Sequence, residues 1–132
     1  MADKKRIVVI GGSAAGPKAA AKARRLDENA DITIIQKDPD LSMASCGYPY
    51  YVGGFFDDRN MLLCTPTGVT RDPKFYLNAK GIVARTETEA VKINRKEKTV
   101  TCKDLKTGNT EDVPYDKLIL TTGSVPKMPP VK

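Results

Sequence analysis

The stretch that decides the fold is Ile7-Val8-Val9-Ile10-Gly11-Gly12-Ser13-Ala14-Ala15-Gly16. Its first four residues form a continuous β-branched run, which is typical of a buried strand, and the glycine turn follows at once. Residues 17–26 are rich in alanine, begin with Pro17 and end near Arg24-Arg25, which predicts a helix with proline at its first position. Residues 32–35 predict a second buried strand. A strand, a glycine turn, a helix and a strand within about thirty residues make a βαβ unit.

The glycine turn is a variant of the dinucleotide-binding fingerprint, with Ser13 in place of its middle glycine. Gly11 would make the tight turn, the small Ser13 would let the backbone approach a pyrophosphate, and Gly16 would let helix and strand pack closely. The alternative is an ordinary glycine-rich turn, but a preceding strand and a following helix favour dinucleotide binding. The fingerprint also expects an acid after the second strand to hold ribose hydroxyls, and that position is Gln36, a neutral amide.

The rest of the chain is predicted to hold a loop-rich segment, a meander and a last buried strand. Residues 37–80 show little periodicity. Short strand candidates at 82–84, 90–93 and 99–102, with polar turns after the second and third, predict an antiparallel meander between residues 81 and 115. Residues 118–121 predict a buried strand, and we expect Leu120 to lie in the same sheet as Val9.

Composition restricts the classes of function. The chain has 132 residues, 40% of them hydrophobic, which suffices for one small domain with its own core. Lysine and arginine exceed the acids by 22 to 16, but the basic residues are scattered, which favours a phosphate-bearing ligand over nucleic acid. No apolar run is long enough for a membrane span, and the first residues lack a signal sequence, so we expect a cytoplasmic protein.

The chain has three cysteines, Cys46, Cys64 and Cys102, and no histidine. Their odd number and wide spacing argue against a disulfide framework, and no metal site is expected. The lack of histidine excludes Ser-His and Cys-His catalysis within this chain. Cys46 lies in Ser42-Met43-Ala44-Ser45-Cys46-Gly47-Tyr48-Pro49-Tyr50-Tyr51, where it is either a nucleophile for disulfide exchange or a small buried hydrophobe. We interpret the other two cysteines as packing residues.

Three segments together resemble the pyridine nucleotide-disulfide oxidoreductases, flavoproteins with two dinucleotide-binding domains. The most similar group is that of the coenzyme A disulfide reductases, with the related NADH oxidases and polysulfide reductases. Residues 7–26 are similar to the FAD-binding turn and helix of the family, and residues 115–124 to its second FAD-contacting strand. Residues 42–54, Ser-x-x-x-Cys-Gly-x-Pro-Tyr-Tyr-x-Gly-Gly, resemble the segment that holds its single redox cysteine.

The resemblance implies a role for each matching position. Cys46 would face the flavin and form a mixed disulfide with coenzyme A, and Ser42 would lie on the substrate side. One helical face would meet the coenzyme A phosphates: Lys18, Lys22 and Arg25. From the sequence alone, a solvated helix face remains the alternative for these three. The FAD-binding positions would be Gly11, Gly12, Ser13, Ala15 and Gly16 at the pyrophosphate, Gln36 and Lys37 at the ribose, Val91 at the adenine, and Thr121, Thr122 and Gly123 over the cofactor. Gln36 replaces an acid of the family pattern, and Ser45 replaces an asparagine.

The resemblance also implies a fold and an organisation. We expect an α/β fold, a Rossmann-like FAD-binding βαβ unit with an antiparallel meander, over residues 1–125. Residues 126–132 would be a linker toward a nicotinamide domain. Family members are several times longer, so we expect this chain to be an amino-terminal piece of a homodimeric enzyme. That enzyme would use FAD and NAD(P)H to reduce coenzyme A disulfide, a persulfide or a polysulfide, with peroxide and oxygen as the alternative oxidants. The alternative is a free-standing nucleotide-binding module without redox chemistry.

Overall fold

The computed structural model describes residues 4–131 as two β-sheets and three α-helices. The elements are, in chain order, β1 (Arg6–Ile10), α1 (Ala15–Leu26), β2 (Asp31–Ile35), α2 (Tyr48–Val52), α3 (Pro73–Lys80), β3 (Val83–Arg85), β4 (Thr88–Asn94), β5 (Thr99–Asp104), β6 (Thr110–Pro114) and β7 (Lys117–Leu120). Two 3-10 turns, Ser45–Gly47 and Arg59–Leu62, lie between β2 and α3.

The first sheet is parallel and has the strand order β3-β2-β1-β7. Val9 on the central strand pairs with Ile34 on one side and with Ile119 on the other. Leu120 pairs with Ile10, so the predicted βαβ unit and the prediction that the last strand joins the sheet of Val9 are both confirmed.

Helix α1 begins two residues earlier than predicted. Its first residue is Ala15, so Pro17 occupies the third helical position, and the prediction of proline at the first position is wrong. Proline is tolerated there because the N–H groups of the first turn have no intrahelical acceptor. The predicted arginine pair, Arg24 and Arg25, lies in the last turn, where cations interact favourably with the helix dipole.

The predicted meander is confirmed for β4, β5 and β6, which form an antiparallel sheet. Residues 82–84 were expected to belong to it, and that prediction is wrong. Strand β3 instead pairs in parallel with β2, through Ile34 and Ala84. The reason is α3, which sequence analysis missed: together with the segment before it, this helix forms a crossover that returns the chain parallel to β2.

Alternate residues of β1 point into two separate cores. On one face, Ile7 and Val9 pack with residues of β2, α1 and α3, including Ala20, Ile34 and Tyr76. On the other face, Val8 and Ile10 pack against residues of the meander side, including Val100, Cys102 and Tyr115. Cys102 is buried, as predicted. Between residues 4 and 131, no helix combines the length and the apolar character that crossing a membrane requires.

Candidate functional site

The glycine turn lies at the carboxyl end of β1, where the backbone passes very close to β7. Gly11 has a φ of 106°, and a Cβ there would lie 2.1 Å from the carbonyl oxygen of Thr121. A Cβ on Gly16 would lie 1.8 Å from the carbonyl oxygen of Gly11. Packing alone therefore demands glycine at both positions, which is the close helix–strand approach that the fingerprint requires.

The amino terminus of α1 is open to an anion. Ser13, Ala14 and Ala15 are exposed, and the N-cap residue Ala14 makes no side-chain capping hydrogen bond. No acidic residue lies in the first turn. The N–H groups of this turn thus lack a side-chain acceptor and carry the positive end of the helix dipole, which fits a pyrophosphate group.

Gln36 is buried and braces the glycine turn. Its Oε1 accepts a hydrogen bond of 2.7 Å from the backbone N–H of Gly12, and its Nε2 donates one of 3.2 Å to the carbonyl oxygen of Asp40. The neighbouring Lys37 is exposed and donates a hydrogen bond of 2.8 Å to Glu89, which raises the pKa of Lys37. Both residues predicted at the ribose therefore already have protein partners, and their contact with a ribose stays a prediction.

The remaining predicted cofactor positions flank the same end of the sheet or lie in the meander. Thr121 directly follows β7, and its hydroxyl donates a hydrogen bond of 2.9 Å to the carbonyl oxygen of Ile10. Thr122 and Gly123 follow it and are exposed. Val91 is half exposed in β4, at the irregularity between Ala90 and Lys92 in the pairing with β5.

Cys46 is the most exposed of the three thiols and lies in the 3-10 turn that leads into α2. This exposure excludes its interpretation as a small buried hydrophobe. The segment before it is anchored at two points: Ser42 N–H donates to the carbonyl oxygen of Gly12 at 2.8 Å, and Ala44 N–H donates to that of Leu62 at 2.9 Å. Cys46 is therefore exposed to solvent, and the segment before it is held by hydrogen bonds to the glycine turn and to Leu62.

The other two thiols are less accessible. Burial raises the pKa of the Cys102 thiol, which lies in β5, the central strand of the meander. Cys64 is partly exposed, and its Sγ lies 3.7 Å from the Thr70 hydroxyl oxygen.

A cavity of about 440 Å³ lies between α1, residues 42–44 and α3. Four cationic residues line it, and none of the described residues that line it is acidic; the cations are Lys18, Arg25, Arg71 and Lys80. Ser42 and Tyr76 also line it, but Lys22 does not, so the structure brings together only two of the three predicted helix cations. We call this cavity the basic pocket.

Sequence analysis missed two of its cations, Arg71 and Lys80. The Nε of Arg71 donates a hydrogen bond of 3.1 Å to the carbonyl oxygen of Leu63, which fixes the guanidinium at the pocket wall. Arg71 precedes the N-cap residue of α3, and Lys80 lies in its last turn. A helix prediction for this segment would have placed Arg71 and Lys80 at the two ends of one helix.

A parallel sheet whose first strand ends in a glycine turn, followed by a helix with an uncapped amino terminus, defines a Rossmann-type dinucleotide-binding protein. More particularly, the chain belongs to the pyridine nucleotide-disulphide oxidoreductase family, which it matches over residues 5–132. The resemblance seen in the three sequence segments is thereby confirmed.

Three relatives indicate which members of the family this chain resembles. The coenzyme A disulfide reductase of Staphylococcus haemolyticus (strain JCSC1435) is 38% identical over 120 residues, which are 91% of this chain and 26% of the relative. The structure of an NAD-dependent persulfide reductase from A. fulgidus superposes with a TM-score of 0.91 at 40% identity, over 96% of this chain and 23% of that one. The structure of reduced Bacillus anthracis CoADR-RHD gives a TM-score of 0.86 at 38% identity, over 97% of this chain and 22% of that one. The chain thus spans about a quarter of the length of these relatives.

Proposed function

We propose that residues 1–125 are the FAD-binding segment of an NAD(P)H-dependent disulfide oxidoreductase that acts through Cys46. Residues 126–132 would link this segment to a nicotinamide domain in a longer, cytoplasmic, homodimeric protein. The observation that carries the proposal is that one segment, residues 42–46, connects three features of the site. It is hydrogen-bonded to the glycine turn, it lines the basic pocket with Ser42, and it carries the exposed Cys46.

The glycine turn fits FAD because the amino terminus of α1, which follows it, offers N–H groups that no side chain caps. When bound, FAD supplies the two-electron chemistry that connects NAD(P)H to a disulfide. The residues that would hold it are Gly11, Gly12, Ser13, Ala15 and Gly16 at the pyrophosphate, Gln36 and Lys37 at the ribose, Val91 at the adenine, and Thr121, Thr122 and Gly123 over the cofactor.

The substrate would be a coenzyme A disulfide, a persulfide or a polysulfide. Coenzyme A carries several phosphate charges, and the four cations of the basic pocket offer them a complementary surface without an acid among the lining residues. The thiolate of Cys46 would attack one sulfur of the disulfide. A bond would form between Cys46 and that half of the substrate, and the other half would leave as a thiolate.

The named relatives support this choice of substrate. Two of them are a coenzyme A disulfide reductase and a persulfide reductase, both at 38–40% identity. The alternative, a nucleotide-binding module without redox chemistry, rests on the glycine turn alone. It leaves the exposed Cys46 and the basic pocket without a role.

The proposal can be tested on the chain itself with coenzyme A disulfide and peptide mass spectrometry. We expect the coenzyme A adduct on Cys46 well before Cys64 or Cys102. Arg25→Glu should slow adduct formation several-fold, because it places an acid in the basic pocket. Lys22→Glu is the matched control: it makes the same kind of charge change on the same helix, outside the pocket. Equal adducts on Cys46 and Cys64, or equal slowing by the two variants, would contradict the proposal.

A further inference from the structure

Ser42 has a backbone conformation that its residue type disfavours. Its φ of 53° lies in the left-handed region, where a residue with a Cβ is less stable than glycine. The other non-glycine residues with positive φ among residues 4–131 are Glu87 and Lys98, which lie next to the ends of meander strands rather than at the site. Strained backbone of this kind persists only where surrounding contacts determine it.

The contacts that determine it come from the glycine turn and from α3. The N–H of Ser42 donates to the carbonyl oxygen of Gly12 at 2.8 Å. The hydroxyl oxygen of Ser42 is hydrogen-bonded to the hydroxyl of Tyr76. Tyr76 is only 3% exposed and belongs to the core cluster under α1, so its hydroxyl approaches Ser42 from a fixed position.

We propose that Tyr76 is a positioning residue for Cys46. Its hydroxyl holds Ser42 in the left-handed conformation, and this conformation sets the direction in which residues 43–46 leave the glycine turn. The next anchor, the bond from Ala44 to Leu62, lies two residues further along, and Cys46 follows it. The inference rests on the proposed function only in taking Cys46 as the reacting group. The alternative is that Tyr76 is a core residue whose hydroxyl does nothing for Cys46.

The experiment attaches a nitroxide to Cys46 through a disulfide and records the mobility of the label by electron paramagnetic resonance. Cys64→Ser is the background, and Cys102 is buried, so Cys46 is the accessible thiol. Tyr76→Phe should make the label more mobile. It should also speed amide hydrogen exchange at Ser42 and Ala44 about fivefold, the change expected from loss of one neutral hydrogen bond.

Two comparisons separate positioning from general loss of stability. Tyr115→Phe removes a phenol hydroxyl from a buried residue of the other core cluster and should leave the label unchanged. Ser42→Ala loses the hydroxyl, and the left-handed conformation is as unfavourable for alanine as for serine, so this variant should mobilise the label. Ser42→Gly loses the hydroxyl but tolerates the left-handed conformation, so it should stay near wild type. In the Ser42→Gly background, Tyr76→Phe should then have little further effect.

The inference is overturned if Tyr76→Phe leaves label mobility and amide exchange at their wild-type values. It is also overturned if Tyr115→Phe acts like Tyr76→Phe, or if Ser42→Gly behaves like Ser42→Ala. Because label mobility needs no substrate and no turnover, these outcomes are independent of whether Cys46 reacts with coenzyme A disulfide. The adduct experiment tests the proposed function, and the label experiment tests the role of Tyr76.

Discussion

Replacing Gly16 by alanine should strongly destabilise the glycine turn. The added Cβ would lie 1.8 Å from the carbonyl oxygen of Gly11 and 2.7 Å from the hydroxyl oxygen of Thr121. The nearer of these two atoms belongs to the backbone, so it cannot move aside as the end of a flexible side chain would. The start of α1 and the end of β1 would have to separate by more than about 1 Å in a close-packed interior.

The cost follows from what this separation disturbs. Overpacking of a core costs about 1–3 kcal/mol. The movement also weakens hydrogen bonds at the turn, among them the 2.9 Å bond from Gly11 N–H to Ile35 and the one from Thr121 to Ile10, each with a net value of about 1 kcal/mol. We therefore expect a loss of about 3–5 kcal/mol in the free energy of unfolding, a large part of the total stability of a domain of this size.

Urea unfolding followed by circular dichroism measures this loss, with Gly68→Ala as the control. Gly68 has a φ of 83°, but its Cβ position has no neighbour within 4 Å, so only the backbone conformation is penalised. That penalty is about 1–2 kcal/mol. If Gly16→Ala costs no more than Gly68→Ala, close approach of helix and strand is not the reason for this glycine.

Three further predictions concern stability and cofactor retention. Hydrogen bonds from Arg6 lower the pKa of Asp116 below its ordinary value of 3.8. The stability that this carboxylate contributes is therefore present above pH 3.8 and is lost as the pH falls toward the pKa of the folded state. Asp116→Asn should therefore lower the thermal midpoint at pH 7, and the difference from wild type should narrow below pH of about 4; a constant difference would contradict this. Asp72 caps α3 by accepting a hydrogen bond of 2.8 Å from Phe75 N–H, so Asp72→Ala should cost about 1 kcal/mol in urea unfolding, and no loss would refute the cap. The chain alone should lose FAD on dialysis, because residues 122–125 beside the turn are exposed and leave a large cofactor incompletely buried; a yellow, stoichiometric, non-dialysable chromophore would show otherwise.

Local signals account for what the sequence predicted correctly. The β-branched run before Gly11 and the alanine-rich stretch after Gly16 each specify their own element, and the turn between them has its own steric reason. The pattern around Cys46 left a nucleophile or a small buried hydrophobe open; the exposed thiol argues against the second, and the redox role stays a prediction. Polar turns separated the strands of the meander.

Two of the features that the sequence analysis missed depend on contacts between distant segments, whereas the third, helix α3, had local signals. Strand β3 was recognised as a strand, but its pairing with β2 is set by the crossover through α3 and not by its own residues. Helix α3 had recognisable boundaries that were overlooked: the Asp72 cap, Pro73 at the first position and Gly81 in the left-handed conformation at the end. The buried amide of Gln36 could not be foreseen as a brace, because its partner Gly12 is 24 residues away.

The role of Cys46 is tested most directly by disulfide turnover in the longer protein that we propose contains this segment. The measurement is NAD(P)H-dependent reduction of coenzyme A disulfide or polysulfide by Cys46→Ser, Cys64→Ser and Cys102→Ser side by side.

A serine hydroxyl stays protonated near neutral pH and cannot replace the thiolate. Cys46→Ser should therefore lose disulfide turnover by orders of magnitude while it keeps its flavin and the reduction of that flavin by NAD(P)H. The other two variants should lose stability only, by about 0.5–3 kcal/mol. Near wild-type turnover by Cys46→Ser would contradict the account.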